Sequence, residues 1–187
     1  MPAPDPGRRR PPAAGRRTHA GQAGAHPAPV NPPGEYLFVY GTLLTGSGRR
    51  WLDAAVRRLP MLGRGWIQAR LYELGAYPGA VRSERPTERV HGILLLLPRW
   101  GGLLRTLDRY EAYHPAGPHR SEFCRTRVTA HIQPGDRAVS CWAYLYCGRL
   151  IHRPRLRSGD YAARVTRRRA PFARAVTAQP QLKHPGR

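Results

Sequence analysis

Apolar residues along the chain fall into short runs with the periods of strands and helices. Residues 36–40 (YLFVY) and 90–97 (VHGILLLL) are largely apolar, which is typical of strands buried on both faces. Residues 125–132 (RTRVTAHI) alternate between polar and apolar positions and predict a strand that is buried on one face. Further strands are predicted over residues 65–74 and 138–147. The middle of the chain is therefore rich in strands.

Two segments show helical spacing instead. Apolar residues recur at helical spacing over residues 51–59, where Pro60 ends the run, and over residues 100–110, which predicts a second helix ending near Tyr113. Residues 161–169 can form a short third helix.

Turn residues separate these elements and suggest a fold class. GAYPG (75–79) and PGD (134–136) predict turns, and the second turn makes the last two strands a hairpin. The order β-α-β-β-α-β-β predicts an α+β fold. We expect a small mixed β-barrel, or curled sheet, of about five to six strands with two main helices packed on it.

The two ends of the chain differ from the middle in composition. Residues 1–34 consist mainly of Pro, Ala, Gly and Arg and cannot bury enough apolar surface to offset the entropy of ordering. Residues 161–187 continue this pattern. We therefore predict a disordered tail over 1–34, one domain over 35–160 and a basic tail over 161–187. A transit peptide has a composition similar to that of the first segment, although prolines disfavour the amphipathic helix it needs.

The charge is strongly positive, with a formal net charge of +21. Lys183 is the single lysine among 32 basic residues, and about half of the excess lies in the two terminal segments. We expect non-specific, salt-sensitive contacts with polyanions through these arginines.

No run of 18 apolar residues occurs, so neither a membrane-spanning helix nor a membrane partner is predicted.

The cysteines and histidines give no sign of a metal site. Cys124, Cys141 and Cys147 lack CxxC spacing, so we predict neither a disulfide framework nor a zinc site, but inert core residues in a reducing cytoplasm. The eight histidines are scattered, with no i, i+4 pair inside a helix. Neither a metal nor another cofactor is expected.

One candidate for acid–base chemistry lies at the end of the second predicted helix. Asp108 and Glu111 are three residues apart and share a helix face. Glu111 falls among Tyr110, Tyr113 and His114, where partial desolvation would raise the pKa of its carboxyl group and suit proton transfer. The alternative is a surface glutamate paired with a nearby arginine.

A second candidate follows the first predicted strand. Glycine at position 41 allows the backbone N–H groups of residues 41–43 to point into a cavity, where they could hold a carboxylate or an oxyanion. The alternative is a plain turn from a strand to a helix.

These segments, with several others, resemble a known family. The similarity to the gamma-glutamylcyclotransferase-like family extends from about residue 36 to residue 146, and as far as 160 if the closing SGD is included. Its fragments occur in family order: VYGTL (39–43), LYELG with YPG (71–79), VHG (90–92), LDRYEAY (107–113), FCR (123–125), WAYLY (142–146) and SGD (158–160).

The resemblance implies a small mixed barrel whose cavity is lined by a loop that binds the glutamyl end of the substrate. In this chain the loop residues are Tyr40, Gly41, Thr42 and Leu43, and the acid/base is Glu111. The implied reaction converts a γ-glutamyl amine or γ-glutamyl amino acid into 5-oxoproline and a free amine, with no cofactor or metal. Two residues depart from the family pattern, since Thr42 replaces a frequent serine and Phe123 replaces a tyrosine.

Other possibilities remain open. The chain could be a non-catalytic, small-molecule-binding member of the same fold, or a nucleic-acid-associated protein that uses its arginine-rich tails. Arg125 could attract an anionic substrate or form a structural ion pair. One face of the last strand carries Trp142, Tyr144 and Tyr146. We expect one of the two faces of this strand to pack in the core and the other to line the cavity. Nothing in the sequence indicates the oligomeric state.

Overall fold

The computed structural model describes residues 34–99 and 102–176. The disordered tail predicted for residues 1–34 lies outside this range except for Gly34, and so do Trp100 and the last part of the basic tail. The strands are β1 (Glu35–Val39), β2 (Met61–Glu73), β3 (Pro78–Arg82), β4 (Arg89–Leu97), β5 (Phe123–Gln133) and β6 (Arg137–Tyr146). The helices are α1 (Thr42–Thr45), α2 (Arg50–Arg57), α3 (Leu103–Tyr110) and α4 (Tyr161–Val176), with a 3₁₀ turn at Pro118–Arg120.

The sheet closes on itself. Its strand order is β3-β2-β4-β1-β6-β5, and an additional pairing of β2 with β5 completes a five-stranded barrel that leaves β3 as an extra strand beside β2. The first and last barrel strands, β1 and β6, pair in parallel, whereas the other pairs are antiparallel. The predicted fold class, a small mixed barrel with helices, is confirmed.

The continuous apolar run of β1 is explained by burial on both of its faces. Tyr36 and Phe38 belong to a core cluster that draws on every barrel strand and therefore fills the barrel. Leu37 and Val39 point the other way, into a second cluster between the sheet and the helices. The helix residues of that second cluster include Leu52, Val56 and Leu107. Both faces of β1 thus contribute hydrophobic stabilisation.

Several elements differ in extent from the predictions. Strand β3 begins at Pro78, inside the predicted turn 75–79, because pairing with β2 overrides the poor strand propensity of its Pro-Gly start. Helix α4 extends to Val176, past the short helix predicted to end at 169. The described ranges contain no helix that is long and apolar enough to cross a bilayer.

The prediction about the cysteines is wrong for two of the three. Cys124 and Cys147 form a disulfide, with their Cα atoms 6.0 Å apart, whereas Cys141 is free and buried. The partners are brought together by the β5–β6 hairpin, whose register places Phe123 opposite Tyr146. Their sequence spacing carries no sign of this pairing, because it depends on where the hairpin begins and ends. The cytoplasmic location stays a prediction.

The segment after β6 is fastened to the barrel. Leu156 N–H donates to the carbonyl of Leu71, and His91 N–H donates to the carbonyl of Gly159, at 2.8 and 2.9 Å. Gly159 has a φ of +65°, and a Cβ at this position would collide with the carbonyl oxygen of Arg89, so only glycine fits without strain. Asp160 then accepts a 2.9 Å hydrogen bond from the N–H of Ala163 and caps α4. The SGD segment therefore closes the fold.

Candidate active site

A cavity of about 210 Å³ opens where the end of β1, the end of α3 and the starts of β3 and β5 meet. Aromatic and aliphatic side chains form most of its wall. The residues lining it are Phe38, Val39, Tyr40, Gly41, Thr42, Leu43, Tyr77, Pro78, Tyr110, Glu111, Glu122, Phe123 and Tyr144. All five of the sequence-predicted site residues therefore line one cavity.

The loop after β1 lines this cavity and carries backbone N–H groups that lack acceptors among the described residues. Gly41 packs closely on Pro78, since a Cβ at position 41 would lie 3.0 Å from the Cγ atom of the proline. The carbonyl of Gly41 accepts hydrogen bonds from residues 44 and 45, which starts α1. Within the described part of the chain, the N–H groups of Gly41, Thr42 and Leu43 have no hydrogen-bond acceptor. Three donors are thus free on residues that line the cavity.

The hydroxyl group of Tyr40 has a structural role. That hydroxyl donates a 2.7 Å hydrogen bond to the carbonyl of Tyr144 and accepts one of 3.1 Å from the N–H of Ala80. Burial raises the pKa of the Tyr40 phenol well above its usual value, so the group stays protonated. Tyr40 therefore ties β1 to β6 and β3 and helps to fix the loop that follows it.

Glu111 occupies the C-terminal end of α3 and is half-buried. Burial raises the pKa of its carboxyl group from 4.5 to about 8, and the negative charge of Glu122 contributes in the same direction. Among the described residues no arginine or other group forms an ion pair or hydrogen bond with this side chain. The alternative of a surface glutamate paired with an arginine is not what the structure shows.

The side chains of Asp108 and Glu111 have different surroundings, although the two residues are only three positions apart. Asp108 is buried and pairs with Arg125 at 3.0 Å, and it also accepts a 2.7 Å hydrogen bond from the hydroxyl of Tyr144. The guanidinium of Arg125 lies 5.1 Å from the ring centre of Trp142. Of the two roles considered for Arg125, the structure shows the ion pair.

Two cavity residues, Tyr77 and Glu122, carry chemistry that the sequence analysis did not assign. The hydroxyl of Tyr77 donates a 2.5 Å hydrogen bond to Oε1 of Glu122, and this bond raises the pKa of Tyr77 to about 12. In the sequence Tyr77 belongs to the YPG segment, and Glu122 directly precedes the FCR segment. Their proximity depends on long-range pairing, so no local pattern could have revealed it.

The two faces of the last strand have different surroundings. Cys141, Ala143 and Leu145 lie in the barrel core. On the opposite face Tyr144 lines the cavity, whereas Trp142 and Tyr146 pack against the second core cluster. Within residues 34–99 and 102–176, no three His, Cys, Asp or Glu side chains are grouped so that they could hold a metal ion.

The family model described as gamma-glutamyl cyclotransferase, AIG2-like, matches residues 37–163. The chain belongs to this family. The match covers β1 to the start of α4, and thus every residue that lines the cavity. No curated protein sequence matches the chain.

Several solved structures from different organisms are similar to this chain. An uncharacterized protein of Pyrococcus horikoshii is 16% identical, with a TM-score of 0.50, and the alignment covers 73% of this chain and 97% of that one. YkqA of Bacillus subtilis is 15% identical, with a TM-score of 0.52, over 76% of this chain and 51% of that one. An AIG2-like protein of Mus musculus is 24% identical, with a TM-score of 0.46, over 60% and 77%.

Five of the seven family segments found in the sequence contribute residues to the described lining of the cavity, whereas VHG and SGD do not. VYGTL contributes the loop and its free N–H groups, YPG contributes Tyr77 and Pro78, and LDRYEAY contributes Tyr110 and Glu111. Since these segments lie far apart along the chain, only the closed barrel of the gamma-glutamyl cyclotransferase, AIG2-like fold brings them together.

Proposed function

We propose that this protein is a γ-glutamyl cyclotransferase. It would convert a γ-glutamyl amine or γ-glutamyl amino acid into 5-oxoproline and a free amine by intramolecular aminolysis. One observation carries the proposal: Glu111, whose side chain has no hydrogen-bond or ion-pair partner among the described residues, lines the same cavity as residues 41–43, whose N–H groups have no acceptor in that part of the chain.

The loop would bind the glutamyl end of the substrate. Backbone N–H groups are suited to hold the α-carboxylate, or the oxyanion that develops on the γ-carbonyl oxygen during attack. The apolar wall, which includes Phe38 and Phe123, would exclude water around a bound substrate and strengthen these interactions. Holding the flexible glutamyl chain in a curled conformation would bring the α-nitrogen to the γ-carbon and reduce the entropic cost of ring closure.

Glu111 would move the proton. Its carboxylate takes a proton from the α-ammonium group, and the resulting amine attacks the γ-carbonyl carbon to give a tetrahedral intermediate. The protonated Glu111 then donates that proton to the leaving nitrogen, and the original amide C–N bond breaks. The attacking nitrogen loses its second proton, through the Glu111 carboxylate, to the departing amine, so that neutral 5-oxoproline and a protonated amine are formed. A pKa of about 8 suits both steps, since the group gives up and takes up a proton near neutral pH.

The test is release of 5-oxoproline from a panel of γ-glutamyl compounds by the wild type and by Glu111→Gln. The matched control is Glu84→Gln, since Glu84 is exposed and remote from the lining of the cavity. Loss of the general acid/base should reduce kcat by at least about 100-fold, whereas the control should keep full activity. Undiminished turnover by Glu111→Gln would refute the assignment. Ligand binding without turnover in the wild type would instead favour a non-catalytic member of the family.

A further inference from the structure

The charge of the cavity is opposite to that of the whole chain. The chain has a net charge of +21, yet the described lining contains two carboxyl groups, those of Glu111 and Glu122, and no Arg, Lys or His side chain. In the proposed function, backbone donors hold one carboxylate of the substrate. The described wall has no cationic side chain that could bind a second carboxylate.

Glu122 is held in place at the wall of this cavity. Its N–H donates to the carbonyl of Ala112, next to Glu111, and its own carbonyl accepts a hydrogen bond from the N–H of Cys147 at 2.9 Å. Its Oε1 atom accepts the 2.5 Å hydrogen bond from Tyr77. The side chain is exposed, and within the described ranges Oε2 has no hydrogen-bond or ion-pair partner. One carboxylate oxygen is thus fixed and the other is available to a ligand.

The arginines in this region are engaged elsewhere or lie outside the lining. Arg125 is paired with Asp108, and the guanidinium of Arg49 lies 6.0 Å from the ring centre of Tyr110. Arg153 is close enough for its charge to lower the pKa of Tyr77 slightly, but it makes no ion pair with Glu122. The wall beside Glu111 therefore keeps a negative charge.

We infer that Glu122 is a specificity-determining residue that favours γ-glutamyl compounds whose leaving amine carries a second, positively charged group, such as mono-γ-glutamyl diamines. This inference rests on the proposed function. With the glutamyl end on the loop and its γ-carbonyl beside Glu111, Glu122 is the other carboxylate on the described lining that a leaving group can approach. A distal ammonium group there would be attracted by the free Oε2 atom, whereas a distal carboxylate would be repelled by it.

The experiment uses three substrates of similar length. These are the mono-γ-glutamyl amides of 1,5-diaminopentane, hexylamine and 6-aminohexanoate, whose distal groups are cationic, neutral and anionic at neutral pH. We expect kcat/KM of the wild type to fall in that order, by about tenfold from cation to anion at low salt, and mainly through KM. The difference should shrink in 0.5 M salt because Glu122 is exposed.

Three variants assign the effect to the side chain. Glu122→Gln should bring the three kcat/KM values within about twofold of one another, and Glu122→Lys should reverse the order. Tyr77→Phe keeps the charge and removes the hydrogen bond that fixes it, so the preference should weaken without changing sign. Glu84→Gln should match the wild type, and circular dichroism establishes that each variant is folded. The same substrate order in Glu122→Gln as in the wild type overturns the inference, and so does a wild-type preference for the anion.

Failure of the proposed function would look different. If none of the three compounds releases 5-oxoproline, calorimetric binding of the same compounds to the wild type and to Glu122→Gln decides the inference independently. A cation preference that disappears in Glu122→Gln supports it. Equal affinities, or no binding of any of the three, overturn it.

Discussion

Tyr144 donates a 2.7 Å hydrogen bond through its hydroxyl group to Oδ1 of Asp108. The contact joins the last barrel strand to α3, and the other carboxylate oxygen of Asp108 pairs with Arg125 on β5 at 3.0 Å. Since Glu111 follows at the end of the same helix, these contacts fix the position of its carboxyl group relative to the loop after β1. Asp108 is therefore a structural contact between α3, β5 and β6 and does not belong to the described lining of the cavity.

Asp108→Ala should destabilise the protein by roughly 2 to 3 kcal/mol, because the substitution leaves Arg125 without its partner and the Tyr144 hydroxyl without its acceptor. Urea unfolding followed by circular dichroism measures the change. Glu84→Ala, at an exposed site, should stay within about 0.5 kcal/mol of the wild type. An effect of Asp108→Ala as small as that of the control would show that the pair contributes nothing to stability.

The pH dependence of kcat/KM should have an acid limb near pH 8, because the carboxyl group of Glu111 must be deprotonated to accept a proton and its pKa is raised to about 8. Glu122→Gln removes a negative charge that raises this pKa, so the acid limb should move to lower pH. The substrate ammonium titrates identically in both assays, and the shift therefore reports the enzyme. Superimposable profiles of the two proteins would contradict the electrostatic coupling of Glu111 and Glu122.

Stability should also respond to the ionisation of Glu111. Its pKa is 4.5 in ordinary surroundings and about 8 in the fold, so the folded state favours the protonated form. The resulting stabilisation is fully present below about pH 4.5 and is lost as pH rises to about 8. Glu111→Gln cannot ionise, so its Tm should rise relative to the wild type between pH 5 and pH 8. Tm curves that stay parallel over this range would argue against a desolvated carboxyl group.

Gly159→Ala should cost more stability than Gly75→Ala. Both glycines have positive φ, at +65° and +113°, but a Cβ at position 75 meets open space, whereas one at position 159 collides with the carbonyl of Arg89. We expect an additional loss of at least about 1 kcal/mol at position 159 because the backbone there must also shift. Parallel urea titrations measure the difference. Equal losses would mean that the closing segment is free to move away from β4.

Reduction of the disulfide should lower stability. The Cys124–Cys147 bond spans 23 residues, and a cross-link of this size stabilises by about 3 kcal/mol, in the usual account by restricting the unfolded chain. Dithiothreitol should therefore lower the urea midpoint, and Cys124→Ser should make the protein insensitive to it. Thiol titration of the denatured, unreduced chain should find one free thiol, that of Cys141. Three free thiols would show that the bond does not form.

Local patterns in the sequence were sufficient for most of the fold. The apolar run of β1 follows from burial on both of its faces, which is visible in a short window. Strand β5 departs from the predicted burial on one face at its end, where Ala130, His131 and Ile132 are all buried. Strand β3 was missed because Pro78 and Gly79 resemble a turn, and only their pairing with β2 makes them a strand. The disulfide was missed for the same kind of reason, since its partners are joined by hairpin register.

Some residues of the candidate site could likewise be predicted from local sequence patterns, whereas others could not. Gly41 and Glu111 could be singled out because each has a local peculiarity: a glycine directly after a buried strand, and an acid at the unfavourable end of a helix. Tyr77 and Glu122 have no such peculiarity, because their hydrogen bond joins residues 45 positions apart. The raised pKa of Glu111 was anticipated from its aromatic neighbours, whereas the contribution of Glu122 required the three-dimensional arrangement.

The parallel pairing of β1 with β6 has a consequence for biosynthesis. Leu37 is aligned with Trp142, and the Tyr40 hydroxyl bonds to the carbonyl of Tyr144 more than a hundred residues later. A ribosome must therefore release nearly the whole domain before the first strand can find its last neighbour, and such long-range closure is slow. Until then the nascent chain has no ligand cavity, and its first strand stays open to incorrect partners.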